Sequence, residues 1–385
     1  MPTMTSDTSN GVRVTGLDMW RSDLPLHMVW LATNACNLRC VHCSSNAAHR
    51  LPNELSTDEA CKMFDEFAEI GVWDVAVSGG EPLIRKDLID VLRHANALGI
   101  KIGVGSNGTS ITETIAQQMV DAGVDRLQIS IDGLHKTHDI ARRKPGLFQI
   151  SAGAIERGLS AGLRVHVCFT VHRLNFQELA TVIDKCASWG VLRFNMSRFV
   201  PTGRGTIHLD LTPEEWRRVL ETYYEKRREY RAVMEFTTHL SHQVLFDEQL
   251  ECTPGFLGCQ AGRAQGCVGP EGDVTPCVML PLVVGNIRRE RLKDIWLNSP
   301  VLKQLRDRGA VKGWCHSCTF REKCGGCRAV AYSYTGDFLA ADPRCWLHSQ
   351  DPQSKENNDG RGIQFIDDGN GSEQVLRACS SVAER

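Results

Sequence analysis

The stretch Cys36-Asn37-Leu38-Arg39-Cys40-Val41-His42-Cys43 places three cysteines within eight residues. It directly follows residues 27–33, an apolar run that predicts a buried strand. Three thiolates at this spacing can bind one face of a metal cluster and leave a fourth position open. A structural zinc site needs four ligands, and His42 is poorly placed to complete a tetrahedron because it is adjacent to Cys43. A 4Fe–4S cluster with one iron free of protein ligands therefore fits the spacing better than zinc.

Apolar runs alternate with helical segments along the first half of the chain. Ser56 and Glu59 form a capping box that predicts the start of the first helix. Six strands that alternate with helices imply right-handed crossovers and a largely parallel sheet, whose ligands bind at the carboxyl ends of the strands. The predicted strands are residues 27–33, 72–78, 100–104, 126–132, 165–171 and 192–196.

Composition excludes several classes of protein. The chain has 385 residues, of which 42% are hydrophobic and 23% charged, so it can build a large core in two or three domains. A net charge of -2 lacks the basic excess of a nucleic-acid-binding protein. No apolar run approaches ~18 residues, so we expect no membrane partner. Without a secretory signal we expect a cytoplasmic location, where 16 cysteines indicate metal or redox chemistry.

Small and polar residues follow the second, third and fourth predicted strands. Gly79 and Gly80 let the backbone approach a ligand closely, and Glu81 offers a carboxylate to an ammonium group. Gly103, Gly105 and Gly108 also spell G-x-G-x-x-G. A dinucleotide site is disfavoured because the first two of these glycines lie within or at the end of the strand and the next helix begins too late.

A second cysteine-rich region lies between residues 252 and 345 and contains nine of the 16 cysteines. The CxxC…CxxC block at residues 315–327 alone would suggest a zinc ribbon. With the flanking cysteines, however, seven or eight ligands are available, too many for one zinc ion. That number suits two four-coordinate clusters.

The cysteine triplet, together with Gly79-Gly80-Glu81-Pro82, resembles the signature of the radical S-adenosylmethionine (radical SAM) enzymes. The resemblance implies that SAM chelates the free iron of a 4Fe–4S cluster. Its reductive cleavage to a 5′-deoxyadenosyl radical then leads to hydrogen abstraction from the substrate. The family usually has an aromatic residue where this chain has His42. The implied cluster ligands are Cys36, Cys40 and Cys43, and the implied SAM-binding residues are Gly79, Gly80, Glu81, Pro82, Asn107, Ser130, Asp132 and Arg142, with Arg143 as the alternative to Arg142.

The second cysteine region resembles the SPASM extension of radical SAM enzymes, which binds two auxiliary iron–sulfur clusters. By this resemblance one cluster is held by Cys315, Cys318, Cys324 and Cys345, and the other by Cys259, Cys277 and Cys327. The better candidate for the fourth ligand of the latter is Cys267, and the second candidate is Cys252. Two residues separate Cys324 from Cys327 where the family usually has three, so ligation by Cys327 departs from the family pattern.

The expected fold is α/β, a partial (β/α)6 radical SAM barrel followed by a small SPASM domain. Residues 199–205 and 325–345 resemble one subgroup, that of the PQQ-synthesis enzyme, the mycofactocin maturase and the tetrapyrrole side-chain enzymes of haem-type synthesis. The expected divisions are a flexible N-terminus at 1–24, the radical SAM core at 25–205, a helical linker at 206–251, the SPASM domain at 252–348 and a disordered tail at 349–385.

The function expected from the resemblance is radical modification of a peptide substrate. A tetrapyrrole or another small biosynthetic intermediate is the alternative substrate, and a non-catalytic iron–sulfur scaffold is the alternative of another class. Only about 25 residues precede the first strand, so a peptide substrate would call for a separate recognition protein. The resemblance implies flavodoxin or ferredoxin as the electron donor.

Overall fold

The computed structural model describes residues 24–247, 250 and 258–348. Its framework is one sheet of ten strands in the order β10-β9-β8-β1-β2-β3-β4-β5-β6-β7, in which β1 to β7 are parallel. The first seven strands are β1 His27–Leu31, β2 Asp74–Ser78, β3 Lys101–Ser106, β4 Arg126–Ser130, β5 Arg164–Val171, β6 Arg193–Arg198 and β7 Glu235–Thr238.

Helices connect these strands and cover one face of the sheet. The capping box at Ser56 and Glu59 is present, so the predicted start of the first helix is confirmed. The helices are α1 Thr57–Glu69, α2 Leu88–Ala97, α3 Glu113–Asp121, α4 His135–Arg142, α5 Leu147–Ser160, α6 Leu179–Trp189 and α7 Pro213–Tyr230.

The two faces of the sheet differ in how deeply they are buried. On β1, Met28 and Trp30 are fully buried beneath the helices, and the Trp30 ring packs edge-on against Phe64 of α1. On β4, Leu127 is buried, whereas Arg126 and Gln128 point the opposite way and keep partial exposure. The apolar face therefore holds the core, and the polar face lines the interior of a partial barrel.

The segment predicted as a helical linker contains a strand as well as α7. In β7, Phe236 packs against the core while its neighbours Glu235 and Thr237 are exposed. A four-residue strand with one apolar side chain carries too little periodicity to be recognised in the sequence. It forms because β6 offers a neighbouring edge for hydrogen bonding.

The cysteine-rich region extends the same sheet. Its strand β8 (Gln265–Val268) pairs in parallel with β1, and β9 (Asp273–Thr275) and β10 (Gly285–Asn286) continue the sheet as antiparallel strands. The remaining helices are α8 Leu292–Asn298, α9 Pro300–Arg306, α10 Trp314–Ser317 and α11 Arg328–Thr335. No helix in the described ranges has the length and apolar character needed to span a membrane. The predicted flexible N-terminus, except Leu24, and the predicted tail lie outside the described residues.

Candidate active site and auxiliary metal centres

The first three predicted cluster ligands lie together in the loop that follows β1. Cys36, Cys40 and Cys43 pack around Leu38 and Leu147. Burial, with smaller contributions from the nearby Cys43 and Cys36 thiols, outweighs the opposing charge of Arg142 and raises the pKa of the Cys40 thiol to about 11. Thiolates crowded in this way repel one another, so a bound metal cluster would supply the positive charge that stabilises them.

Arg142 and Asp132 form a buried ion pair beside this loop. Arg142 donates to the Asp132 carboxylate through Nε at 2.8 Å and through Nη2 at 2.6 Å, and its Nη1 lies 4.0 Å from the Cys40 sulfur. Burial opposes ionisation of Asp132, but the positive charge of Arg142, followed by His42, outweighs it and holds the pKa well below its usual range. Arg143 is exposed at the left-handed C-cap of α4, so Arg142 is the arginine that reaches the cysteine loop.

Asp132 has protein partners at both oxygens. Besides Arg142, its carboxylate lies 3.0 Å from His42 Nε2 and accepts the Thr170 backbone N–H at 2.8 Å. The His42 ring lies 4.9 Å from the ring of His172, a residue that sequence reasoning did not single out. These contacts indicate that Asp132 orients Arg142 and His42; its direct contact with SAM stays a prediction.

The glycine segment after β2 packs directly on the cysteine loop. Gly80 donates its backbone N–H to the Thr33 carbonyl at 2.7 Å, and Glu81 donates to the Ala35 carbonyl at 2.8 Å. A Cβ on Gly79 would lie 2.5 Å from the Thr33 oxygen, and one on Gly80 would lie 2.1 Å from the Ala35 oxygen. Only glycine permits this approach, which brings the carboxyl end of β2 against the predicted cluster site.

Glu81 is fully buried at the same edge of the sheet. Its carboxylate accepts the Ser106 hydroxyl at 2.8 Å and the Asn107 backbone N–H at 2.8 Å, so it joins the ends of β2 and β3. Burial raises the pKa of Glu81 because it outweighs these hydrogen bonds. An incoming ammonium group would offset that burial, which is compatible with the predicted SAM contact. Ser130 ends β4, opposite Cys168 of β5.

Two residues that brace the cysteine loop were not recognised in the sequence. Glu54 accepts the Thr33 hydroxyl at 3.0 Å and the Asn34 backbone N–H at 2.7 Å. Arg204, from the segment after β6, donates through Nε to the Cys40 carbonyl at 3.1 Å. The only sequence signal for Arg204 was its place between two glycines within residues 201–205.

One predicted auxiliary set lines a shared cavity. Cys315, Cys318, Cys324 and Cys345 face it together with His242 and Trp314. Burial, with a smaller contribution from the Cys315 thiol, raises the pKa of Cys324 to about 12. The four thiols therefore lie in one buried space, as ligands of a common group would.

The other predicted auxiliary set is brought together from three parts of the chain. Burial, with a smaller contribution from the Cys277 thiol, raises the pKa of Cys267 to about 12. Burial, with a smaller contribution from Cys259, raises the pKa of Cys277 to about 11. Burial also raises the pKa of Cys327, and the Cys259 thiol contributes to that increase. The proximity of Cys267 to Cys277 favours it as the fourth ligand, and Cys252 lies outside the described residues.

Across residues 24–247, 250 and 258–348, no three His, Cys, Asp or Glu side chains converge as ligands of a single metal ion. The cysteine ligands of an iron–sulfur cluster each bind a different iron, so they do not need to converge on one point.

Two buried arginines indicate that the auxiliary region could bind an anionic group. Arg308 is 4% exposed and Arg328 is 1% exposed. Arg308 Nε and Arg328 Nη2 are buried without a hydrogen-bond partner, and no carboxylate in the described part of the chain lies within ion-pair distance of either side chain. A buried charge without a counter-charge is costly. Iron–sulfur clusters ligated by the neighbouring thiolates would supply the negative charge, so the residues present fit them.

Two family models match the chain. Residues 30–186 match the Radical SAM superfamily, and residues 259–319 match SPASM, an iron–sulfur cluster-binding domain. Both matches agree with the resemblance seen in the sequence.

The similar curated proteins include a heme synthase and a mycofactocin maturase. AdoMet-dependent heme synthase of Methanosarcina barkeri is 35% identical over 338 residues, which cover 84% of this chain and 97% of the relative. Mycofactocin maturase MftC of Mycobacterium tuberculosis is 30% identical over 346 residues, covering 87% of each chain.

The solved structures support the fold. Streptococcus suis SuiB bound to S-adenosylmethionine superposes with a TM-score of 0.72 at 20% identity, covering 84% of this chain and 78% of SuiB. The structure of anSMEcpe with bound AdoMet gives a TM-score of 0.66 at 19% identity, covering 87% and 92%. The expected α/β fold class is thereby confirmed. The chain belongs to the radical SAM superfamily and carries a SPASM domain, and it is an enzyme that uses S-adenosylmethionine and iron–sulfur clusters.

Proposed function

We propose that this enzyme modifies a side chain of a haem-type tetrapyrrole. The observation that carries the proposal is the 35% identity with AdoMet-dependent heme synthase, which extends over 97% of that relative. Two further heme synthases, from Oleidesulfovibrio alaskensis and Nitratidesulfovibrio vulgaris, are 34% and 32% identical. This similarity reverses the order of substrates favoured by the sequence motifs, in which a peptide came first.

We assign the 4Fe–4S cluster that binds SAM to Cys36, Cys40 and Cys43. When bound, this cluster and SAM supply one-electron chemistry that removes a hydrogen atom from an unactivated carbon. The residues assigned to SAM surround the loop at the carboxyl ends of β2, β3 and β4, as ligand sites of parallel sheets do. We also assign the electron supply to a flavodoxin or ferredoxin.

The protein's own contribution at this site is to hold charge in place. Asp132 fixes Arg142 with two charge-assisted hydrogen bonds, so the guanidinium stays beside Cys40 and is available to a carboxylate. Glu81 is buried between β2 and β3 and is available to an ammonium group. One positive and one negative group at one sheet edge match the two charged groups of an amino acid, which is the part of SAM that must be oriented.

The test uses anaerobically reconstituted, reduced protein with SAM and iron coproporphyrin III. We expect 5′-deoxyadenosine together with a porphyrin product of altered side-chain mass, both measured by liquid chromatography and mass spectrometry. The matched control replaces Cys36, Cys40 and Cys43 with alanine, and it should yield neither product. Porphyrin that neither binds nor changes, while 5′-deoxyadenosine still forms, would contradict the tetrapyrrole assignment.

A ribosomal peptide is the second candidate substrate. It is favoured by the 30% identity with mycofactocin maturase MftC over 87% of both chains. A small peptide encoded beside this enzyme, bound by it and altered in mass, would reverse the ranking. The same incubation with peptide in place of porphyrin distinguishes the two substrates.

A further inference from the structure

The two predicted auxiliary sites meet within four residues of the chain. In Cys324-Gly325-Gly326-Cys327, the first cysteine belongs to one ligand set and the last to the other. Both glycines have left-handed backbones, with φ of +67° and +60°. The boundary between the sites is therefore a tight turn without side chains.

Each glycine of this turn lies against a buried guanidinium. A Cβ on Gly325 would lie 1.9 Å from Arg308 Nη1, and a Cβ on Gly326 would lie 2.5 Å from Arg328 Nη2. The space that a side chain would fill at each position is occupied by an arginine. This packing gives a reason for two glycines at the point where the cysteine spacing departs from the family pattern.

Arg308 interacts with cysteines of both ligand sets. Its Nη2 donates to the Cys259 carbonyl at 2.8 Å, and its guanidinium lies within electrostatic range of the Cys259 and Cys324 sulfurs. Arg328 donates through Nη1 to the Phe338 and Ala340 carbonyls, and its charge stabilises the Cys315 thiolate. We call Arg308 and Arg328 the boundary arginines.

Most of the other charged side chains at the boundary are paired. Arg198 pairs with Asp342 at 3.0 Å, and the Asp342 carboxylate also accepts the Cys327 backbone N–H at 2.8 Å. His242 lies nearby, with Nε2 3.8 Å from Asp342. Arg321 lines the cavity but is half-exposed and pairs with Glu322. Arg308 and Arg328 are buried and have no carboxylate within ion-pair distance in the described part of the chain. The less buried Arg263, near Arg308 and Cys259, also has no such ion pair but donates to the Arg306 carbonyl at 2.8 Å.

We propose that the boundary arginines form a buried cationic layer between the two auxiliary cluster sites and raise the reduction potential of the clusters on both sides. Reduction adds negative charge to a cluster, and a buried cation nearby stabilises the reduced form. The same layer lowers the repulsion between two anionic clusters. The N–H groups of the boundary arginines act as hydrogen-bond donors to the clusters. Two of their nitrogens, Arg308 Nε and Arg328 Nη2, have no protein partner.

The experiment measures the potentials of the auxiliary clusters in the full-length chain. In a background with Cys36, Cys40 and Cys43 replaced by alanine, potentiometric titrations followed by EPR report the auxiliary clusters without the SAM-binding cluster. The charge-removing variants are Arg308→Met and Arg328→Met, and Arg308→Lys and Arg328→Lys keep the charge. Arg321→Met is the matched control because it removes an ion-paired, half-exposed cation from the same cavity.

We expect each methionine variant to lower the equilibrium constant of reduction at least tenfold, a shift of about 59 mV for a one-electron couple. The lysine variants and Arg321→Met should shift it less. Methionine variants that lose iron while lysine variants retain it would also support a role for the charge. Wild-type potentials in the methionine variants, an equal shift in Arg321→Met, or loss of iron from methionine and lysine variants alike would overturn the proposal. No substrate is used, so the result is independent of the tetrapyrrole assignment.

Discussion

The carboxylate of Asp132 is the centre of the buried hydrogen bonds at the candidate active site. It holds Arg142 and His42 with its side chain, and its backbone N–H donates to His138 Nδ1 at 3.0 Å. A buried ion pair contributes mainly to geometry, because desolvation offsets much of its attraction, but removal of one partner leaves the other without compensation. Asp132 therefore positions charged groups beside Cys40.

Asp132→Asn should release Arg142 from its position beside Cys40. We expect a loss of about 3 kcal/mol or more in the free energy of unfolding, because a buried guanidinium loses its partner. SAM binding, measured by equilibrium dialysis, should weaken while the iron content stays unchanged. Asp121→Asn on the exposed end of α3 is the control and should change neither quantity. Unchanged SAM binding in Asp132→Asn would contradict the proposal that Asp132 orients Arg142 for SAM binding.

At the scale of secondary-structure elements, contacts between strand ends and loops position the candidate active site. The β2 end approaches the cysteine loop through Gly79 and Gly80, and the loop is held from the other side by Arg204. The helix α1 begins nearby at its capping box, whose Glu59 also pairs with Arg288 of the cysteine-rich region at 2.6 Å. The position of the loop therefore depends on several elements together.

Gly80→Ala should separate the β2 end from the cysteine loop. A Cβ at 2.1 Å from the Ala35 carbonyl cannot be accommodated by a side-chain rotation, so the backbone must move. We expect loss of the EPR signal of the SAM-binding cluster with retention of the auxiliary signals. Gly153→Ala within α5 meets only the end of the Arg157 side chain and should leave all signals intact. Equal loss of all clusters in Gly80→Ala would argue against a local effect.

The cysteine-rich region and the barrel share one sheet. Strand β8 pairs with β1, so that Cys267 lies opposite Val29, and Arg198 of β6 pairs with Asp342 across 144 residues of sequence. Backbone hydrogen bonding across a continuous sheet resists relative motion. The auxiliary cysteines therefore have a fixed position relative to the barrel.

Gly266→Val should disturb the junction between β8 and β1. A Cβ at Gly266 would lie 2.7 Å from the Trp296 ring and 3.2 Å from Met28, so the larger side chain would overpack this interface at a cost of about 1–3 kcal/mol. We expect faster amide hydrogen exchange in residues 27–31 than in the unsubstituted chain. Gly269→Ala, whose Cβ would make ordinary contact, is the control. Faster amide exchange in β8 alone would show that the stability of β1 does not depend on its pairing with β8.

Buried histidines should make the whole molecule less stable in mild acid. Burial, followed by nearby arginines, lowers the pKa of His138 and of His166 to about 3, below the value of about 6.5 in the unfolded chain. The unfolded state therefore binds more protons between these values, and stability falls as pH drops below about 6.5, by up to about 1.4 kcal/mol per histidine per pH unit. Urea unfolding under anaerobic conditions at pH 7, 6 and 5 measures the slope, which His166→Gln should reduce. A midpoint that rises towards pH 5 would contradict this account.

The sequence alone was enough to predict the fold class, the family and the cofactors, and the comparisons confirm all three. The reason is that the cysteine triplet, the glycine segment after β2 and the strand periodicity are local patterns. The ligand sets, the SAM-binding residues and the domain boundaries also came from such patterns, and they stay predictions.

Only the tertiary structure decided how distant residues pair. Arg142 meets Asp132 ten residues away, Arg204 reaches Cys40 from 164 residues away, and β7 and β8 join opposite edges of the barrel strands. Arg308 and Arg328 look like ordinary surface cations in the sequence, because nothing local distinguishes a buried guanidinium from a solvated one. Their burial depends on the space left by Gly325 and Gly326, and such complementarity between distant surfaces exists only once the chain has folded.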